Sequence, residues 1–129
     1  MTILTGIVTT GNKRGKKLGF PTLNVALQTQ LPEGIYISQT VIQQKQYNSL
    51  TFIGAAKTFN ETLYQSETYV LNFDQNVYGE EITITLLKKI RDNQKFTTEQ
   101  VLIEQMEEDK KKAEAYFIKA AEHDIICSL

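Results

Sequence analysis

Thr22 and Asn24, separated by one position, are the residues of this sequence best suited to hold a metal ion. Pro21 restricts the residue before it to extended backbone, and in an extended segment residues i and i+2 project to the same face. A hydroxyl and an amide oxygen on one face make a sparse, neutral set of oxygen ligands. Mg²⁺ is commonly bound by few protein groups together with substrate phosphates. The pair therefore indicates a magnesium–nucleotide site.

A basic, glycine-containing loop precedes this pair. Gly11, Gly15 and Gly19 would let the backbone approach a ligand closely, and a lysine such as Lys16 would offset phosphate charge. "GNKRGKKL" is not a Walker loop, because it has one residue too few between its glycines and lacks the Ser or Thr that ends that motif. On these residues alone, an ordinary surface loop remains the alternative.

Glu67 is the candidate for acid–base chemistry. If "ETYVLNF" is a strand, Glu67 shares one face with Tyr69, Leu71 and Phe73. Burial disfavours the charged form of a glutamate, so its pKa would rise toward the range useful to a general base. The alternative is that Glu67 lies at an exposed strand end.

The composition excludes several classes of protein. A length of 129 residues suits a single domain spanning residues 1–129. A net charge of −1 provides no global positive field for nucleic acid. One cysteine and one histidine exclude an internal disulfide and a His/Cys zinc site, so a bound metal would be a hard ion held by oxygens. Neither a secretory signal nor a membrane span is evident, and we expect a cytoplasmic protein.

The first two thirds of the chain reads as strands and the last third as a helix. Short runs rich in β-branched and aromatic residues recur at the spacing of an all-β barrel or sandwich. Thr97 and Gln100 have the spacing of a capping box. The helix that follows has an apolar stripe and a charged, wetter face to which Asp109 is assigned; the stripe comprises Leu102, Met106, Ala113 and Phe117. Apolar residues near the C-terminus suggest a missing partner domain or an oligomer.

Together these motifs resemble the riboflavin kinase (flavokinase) family, in the form of a stand-alone kinase domain of the bacterial type. "GNKRGKKLGFPTLN" is similar to the glycine loop and PTAN signature of that family. Further matching segments follow in the family's order over about residues 4–117, namely "PEGIY", "FIGAAKTF", "SETYVLNF", "VYGEEITI" and "IRDNQKF". The resemblance implies a six-stranded antiparallel Greek-key (split) β-barrel over about residues 3–92. A C-terminal α-helix over about residues 97–121 would cap it.

The resemblance also implies a reaction, transfer of the ATP γ-phosphoryl group to the 5′-hydroxyl of riboflavin to give FMN and ADP. Glu67 matches the catalytic base, Thr22 and Asn24 match the Mg²⁺ ligands, and Arg91 and Phe96 match the flavin-binding region. The positions matching the ATP site are Gly11, Gly15, Lys16, Gly19 and Thr22. We expect these groups to converge on one pocket inside the barrel.

The sequence departs from the family at two points and leaves other functions open. Leu23 replaces the usual alanine, and Ala56 and Lys57 stand where the family commonly has Arg or Asn followed by Pro. No nucleotidyltransferase domain precedes the kinase motifs, so FAD synthesis is not expected. The alternative functions are a flavin- or nucleotide-binding sensor in a longer regulator and a β-barrel adaptor without a small ligand. Retention of a base favours the enzyme, because a sensor does not need one.

Overall fold

In the computed structural model the chain forms six strands followed by one helix, and the structure describes residues 1–9, 19, 21–57 and 62–128. The strands are β1 (Thr2–Ile7), β2 (Leu23–Ala26), β3 (Gly34–Ile42), β4 (Lys45–Lys57), β5 (Thr62–Val70) and β6 (Glu81–Arg91), and the helix is α1 (Glu99–Ser128). The chain divides into two compact units, Met1–Lys95 and Phe96–Leu129.

The strands of the first unit form one antiparallel sheet in the order β1-β6-β3-β4-β5-β2. Consecutive strands β3, β4 and β5 are neighbours and β6 returns beside β3, which is the Greek-key arrangement. An antiparallel bridge between Thr9 and Asn24 joins the segment after β1 to β2. We call these two residues the barrel seam, because their bridge nearly closes the sheet into a barrel. The predicted fold class, a six-stranded Greek-key barrel with a C-terminal helix, is confirmed.

Alternate side chains of the strands fill the barrel interior. In β6, Ile82 and Ile84 are buried while the intervening Thr83 is only partly buried, as the period-two pattern predicts. The interior cluster comprises Val8, Val25, Ile42, Ile53, Val70, Val77, Ile82, Ile84 and Leu86. This alternation decides which residues remain for the outer face of the barrel.

A continuous chain of five fully buried hydroxyls also occupies the interior. The hydroxyl oxygens are 2.9 Å apart between Thr40 and Ser49, 2.7 Å between Ser49 and Ser38, 2.8 Å between Ser38 and Thr51, and 3.0 Å between Thr51 and Thr68. Each group thereby has the partner that a buried hydroxyl requires. This chain of hydroxyls links β3, β4 and β5 from inside the barrel.

Gly6 allows β1 to approach β2 near the barrel seam. A Cβ atom at this position would collide with the Val25 side chain, which belongs to the interior cluster. Any larger residue would have to push the two strands apart or displace Val25. The absence of a side chain at Gly6 is therefore a condition for closing the barrel.

The second unit contains α1, whose start and end differ from the prediction. The Val101 amide donates to Thr98 Oγ1 at 3.2 Å, so Thr98 caps the helix instead of Thr97. The helix continues to Ser128, beyond the expected end near residue 121. Within the described part of the chain, no helix combines the length and hydropathy needed to cross a membrane.

Asp109 does not belong to the wetter face of α1, and that prediction is wrong. Its exposed fraction is 3%, and Gln105 Nε2 donates to its Oδ1 at 3.0 Å. Position 109 follows Met106 by three residues and precedes Ala113 by four, so helical geometry places it on the apolar stripe. The charged residues that flank Asp109 in the sequence led to the prediction of the wrong face.

Candidate active site

The register of the sheet aligns residues of five strands in a single row. Asn24 of β2 is opposite Glu67 of β5, and Glu67 is opposite Phe52 of β4. Phe52 is in turn opposite Ile35 of β3, which is opposite Arg91 of β6. Directly opposed residues of antiparallel strands are close neighbours on one face of the sheet. We call these five residues the cross-strand row, and three of them are predicted site residues.

Asn24 and Glu67 project from the outer face of the barrel. Val25 and Ile53 belong to the interior cluster, and the fully buried Ser66 donates to the Val25 carbonyl oxygen at 3.1 Å. Because successive residues of a strand point to opposite faces, the neighbouring Asn24 and Glu67 point outward. The expectation of a pocket inside the barrel is therefore wrong, since the interior is filled by core residues.

Asn24 presents two oxygens in different environments. Its main-chain oxygen accepts hydrogen bonds from the Thr9 amide at 2.8 Å and from Thr9 Oγ1 at 3.3 Å. Its side-chain Oδ1 is buried and has no hydrogen-bond partner among the described residues. A buried amide oxygen without a partner is energetically costly, so this atom is suited to a cation or a hydrogen-bond donor. Thr22 is partly buried and lies one residue before β2.

Glu67 is partly buried between neutral neighbours, Asn24 on one side and Phe52 on the other. Burial raises the pKa of the Glu67 carboxyl above its usual value. This confirms the predicted direction of the pKa change, and its physical cause is desolvation of the charged form.

The strand that carries Glu67 ends earlier than predicted. β5 ends at Val70, and Asn72 adopts a positive φ of 58°. This left-handed conformation turns the chain and breaks the alternation of a strand. Phe73 packs against the interior cluster instead of continuing the face of Glu67, so the prediction that it shares this face is wrong.

Arg91 lies at the far end of the cross-strand row. Two register shifts between β3 and β6 bring it opposite Ile35, and its Nη1 donates to the Asp92 carbonyl oxygen at 3.1 Å. Three strand spacings, about 14 Å measured along the sheet, separate Arg91 from Glu67. Phe96, the other predicted flavin-binding residue, is partly buried and begins the second unit.

The predicted nucleotide loop is described only at Gly19. Its φ of 89° lies in the left-handed region that favours glycine, and the residue is exposed. Gly11, Gly15 and Lys16 fall outside the described residues. The described residues contain no group of three or more His, Cys, Asp or Glu side chains that could hold a metal.

Asn93 is a polar residue near the row that the sequence did not single out. Its Nδ2 donates to the Ile53 carbonyl oxygen at 3.2 Å. Its Oδ1 is buried without a partner in the described part of the structure. The Ile53 carbonyl oxygen can only accept a hydrogen bond, so the NH₂ end of the Asn93 amide must face β4. The position lies within the segment "IRDNQKF", of which only Arg91 and Phe96 were predicted to be site residues.

Comparisons with known proteins support one family. Residues 2–117 match the flavokinase (riboflavin kinase) family. The bifunctional riboflavin kinase/FMN adenylyltransferase of Bacillus subtilis is 39% identical over 118 residues, which are 87% of this chain and 37% of that protein. The trifunctional protein RibF/MnmA of Mycoplasmoides gallisepticum is 36% identical over 129 residues, which are 98% of this chain and 20% of that protein.

A solved structure shows the same fold. The riboflavin kinase from Trypanosoma brucei superposes with a TM-score of 0.63 at 23% identity, over 91% of this chain and 80% of that one. The chain spans well under half the length of the two curated relatives.

Proposed function

The chain belongs to the riboflavin kinase family, and on this premise we propose that it transfers the γ-phosphoryl group of ATP to the 5′-hydroxyl of riboflavin, giving FMN and ADP. The observation that carries the proposal is the pairing of Asn24 with Glu67 across β2 and β5. This pairing puts a neutral oxygen suited to a metal–nucleotide next to a carboxylate suited to a base. Phosphoryl transfer requires both groups, the metal ligand near the phosphates of ATP and the base near the attacking hydroxyl.

Glu67 acts as the base in this proposal. Its carboxylate accepts the proton of the 5′-hydroxyl while the hydroxyl oxygen forms a bond to the γ-phosphorus. The bond between that phosphorus and the β,γ-bridging oxygen breaks, and ADP leaves. Burial raises the pKa of Glu67, which makes its carboxylate a stronger base than an exposed glutamate.

Thr22 and Asn24 are the residues that would hold Mg²⁺. The donor set fits this ion, because Asn24 Oδ1 is a buried oxygen without a partner among the described residues. When bound, the ion neutralises charge on the phosphates of ATP. The hydrogen bonds of the barrel seam fix the main chain of Asn24, from which this side chain projects.

We assign the remaining predicted residues to the two substrates. Gly11, Gly15, Lys16 and Gly19, together with Thr22, belong to the ATP site. Arg91, at the opposite end of the cross-strand row from Asn24, and Phe96 belong to the flavin site. An enzyme that uses ATP as its donor would act in the cytoplasm.

A turnover assay tests the function. The protein is incubated with riboflavin and MgATP, FMN is followed by chromatography, and EDTA is then added. We expect FMN to accumulate and to stop accumulating when EDTA removes the metal. Riboflavin that is bound and never converted would contradict the proposal and favour a sensor.

A further inference from the structure

Two buried side-chain oxygens lack a hydrogen-bond partner in the described part of the chain, and both lie near the cross-strand row. They are Asn24 Oδ1 and Asn93 Oδ1. Asn24 begins the row on β2, where the proposed metal site accounts for its oxygen. Asn93 lies two residues after Arg91, which ends the row on β6. The metal site does not account for this second oxygen, and a buried acceptor without a donor is energetically costly.

Gly34 allows the segment after β6 to cross the start of β3. It has a positive φ of 149°, which favours glycine. A Cβ atom at this position would lie 2.9 Å from the Arg91 carbonyl oxygen and 2.5 Å from Lys89 Cε. Gly34 is also opposite Ile53 of β4, to whose carbonyl oxygen Asn93 Nδ2 donates at 3.2 Å. The amide of Asn93 therefore reaches from the β6 side of β3 to β4.

This hydrogen bond leaves the oxygen end of the amide for another donor. Ile53 occupies the NH₂ end, so Oδ1 must accept from a different group. Ile53 is one residue along β4 from Phe52, which is directly opposite Glu67. Asn93 as a whole is only partly buried, so its oxygen comes within reach of a ligand after a small side-chain movement.

The substrate assigned to this end of the row carries one suitable donor. The ring system of oxidised riboflavin presents several hydrogen-bond acceptors but a single N–H group, at N3 of its pyrimidine ring. The ribityl chain separates this ring from the 5′-hydroxyl. A substrate whose hydroxyl meets Glu67 therefore places its ring some distance away, as the position of Asn93 requires.

We propose that Asn93 binds the riboflavin ring, with its Oδ1 accepting a hydrogen bond from the N3–H group of the flavin. The inference rests on the proposed function for the identity of the ligand, but binding tests it without turnover. A flavin methylated at N3 has no hydrogen to donate and would leave the buried oxygen unpaired. A site built around a hydrogen bond rejects an analogue that lacks the donor for this reason.

The test compares riboflavin with 3-methylriboflavin, which differs from it only at N3. Fluorescence titration without ATP gives the dissociation constants of both flavins. We expect the wild type to bind riboflavin roughly 5–150-fold more tightly, the factor for leaving a buried acceptor unpaired. Asn93→Ala should bind the two flavins about equally, because the acceptor is gone. Asn48→Ala, an exposed asparagine of β4, is the matched control and should keep the wild-type ratio.

A second variant separates a lost hydrogen bond from a steric clash of the added methyl group. Asn93→Leu keeps the approximate shape of the side chain but has no acceptor, so it should weaken riboflavin binding as Asn93→Ala does. In the wild type, nitrogen-15 NMR of riboflavin labelled at N3 should show a bound N3–H proton that exchanges slowly with water. This readout needs no variant, and thermal unfolding checks that each variant is folded.

The outcomes separate this inference from the proposed function. Equal affinity of the wild type for the two flavins would overturn the inference, as would a wild-type ratio in Asn93→Ala or undiminished riboflavin binding in Asn93→Leu. If the protein prefers riboflavin through Asn93 but forms no FMN, the kinase proposal fails and the inference stands. If FMN forms without that preference, the kinase proposal stands and the inference fails.

Discussion

Asn24 and Glu67 lie directly opposite each other on adjacent antiparallel strands, β2 and β5. In this arrangement their Cβ atoms are about 4.5–5.5 Å apart, and no intervening residue is needed to bring the two side chains together. The relationship depends on strand register, which the barrel seam at Thr9 and Asn24 helps to fix. The pairing of these two strands therefore brings the proposed metal ligand and the proposed base together.

Glu67→Gln should reduce turnover by about 10²–10⁴-fold, the usual loss when a general base is removed. Riboflavin affinity should change little, because the amide has nearly the same shape. Steady-state kinetics and equilibrium flavin binding measure the two effects. Glu81→Gln, an exposed acid-to-amide change in β6, is the control. Turnover close to that of the wild type would show that Glu67 is not the base.

The pH dependence of kcat/KM should have an acid limb controlled by Glu67. A base must be ionised to act, so activity should rise with pH as the pH passes through the pKa of Glu67. Because burial raises that pKa, the limb should lie above the value of about 4.3 typical of an exposed glutamate. Asn24→Asp, which sets a second carboxylate opposite Glu67, should move the limb to still higher pH. A limb that Asn24→Asp leaves in place would contradict this assignment.

Asn24→Ala should increase the Mg²⁺ concentration needed for half-maximal turnover. The apparent affinity for Mg²⁺ should fall at least ~10–100-fold, which is the usual effect of removing a residue that hydrogen-bonds to a metal ligand. Activity at several Mg²⁺ concentrations measures it, with Asn48→Ala, an exposed asparagine of β4, as the control. An unchanged Mg²⁺ requirement would remove Asn24 from the metal site.

Gly6→Ala should destabilise the barrel by about 1–3 kcal/mol, because the new methyl group would overpack against Val25. Urea unfolding measures the change. In the double variant Gly6→Ala/Val25→Ala the clash is relieved, so the two effects should not be additive. Additive losses would show that Gly6 and Val25 are not in contact.

Thr51→Val should destabilise the fold by about 1–3 kcal/mol. The substitution keeps the shape of the side chain but leaves the hydroxyls of Ser38 and Thr68 each without one partner. Thr85→Val, at a partly buried position on the outer face of β6, is the matched control and should cost much less. Equal losses in the two variants would mean that the hydroxyl chain does not stabilise the fold.

Much of the barrel could be predicted from local patterns. The alternation of Ile82, Thr83 and Ile84 identified β6 and its buried face, and the strand β3 was marked by its β-branched residues. In β3 and β4, however, alternation could not decide which face is interior. Fully buried Ser38 and Thr51 point into the barrel, while buried Ile35 lies on the outer cross-strand row. Hydrophobicity alone therefore assigns these faces wrongly.

Candidate site residues could be named from the sequence, but the strand pairing that relates them could not. The types and spacing of Thr22, Asn24 and Glu67 indicated an oxygen site and a base. Their proximity depends on the register between β2 and β5, which are far apart in sequence. The close approach of the Phe52 ring to the main chain of Gly54 also depends on the missing side chain at position 54, which leaves no local motif.

The two oxygens of Asn24 have different roles, one in closing the barrel and the other in the proposed metal site. The carbonyl oxygen that accepts the hydrogen bonds of Thr9 belongs to the main chain and would be present with any amino acid at this position. Oδ1, by contrast, exists only in asparagine and a few related side chains. Mutation at codon 24 can therefore alter ligand chemistry while the strand closure persists.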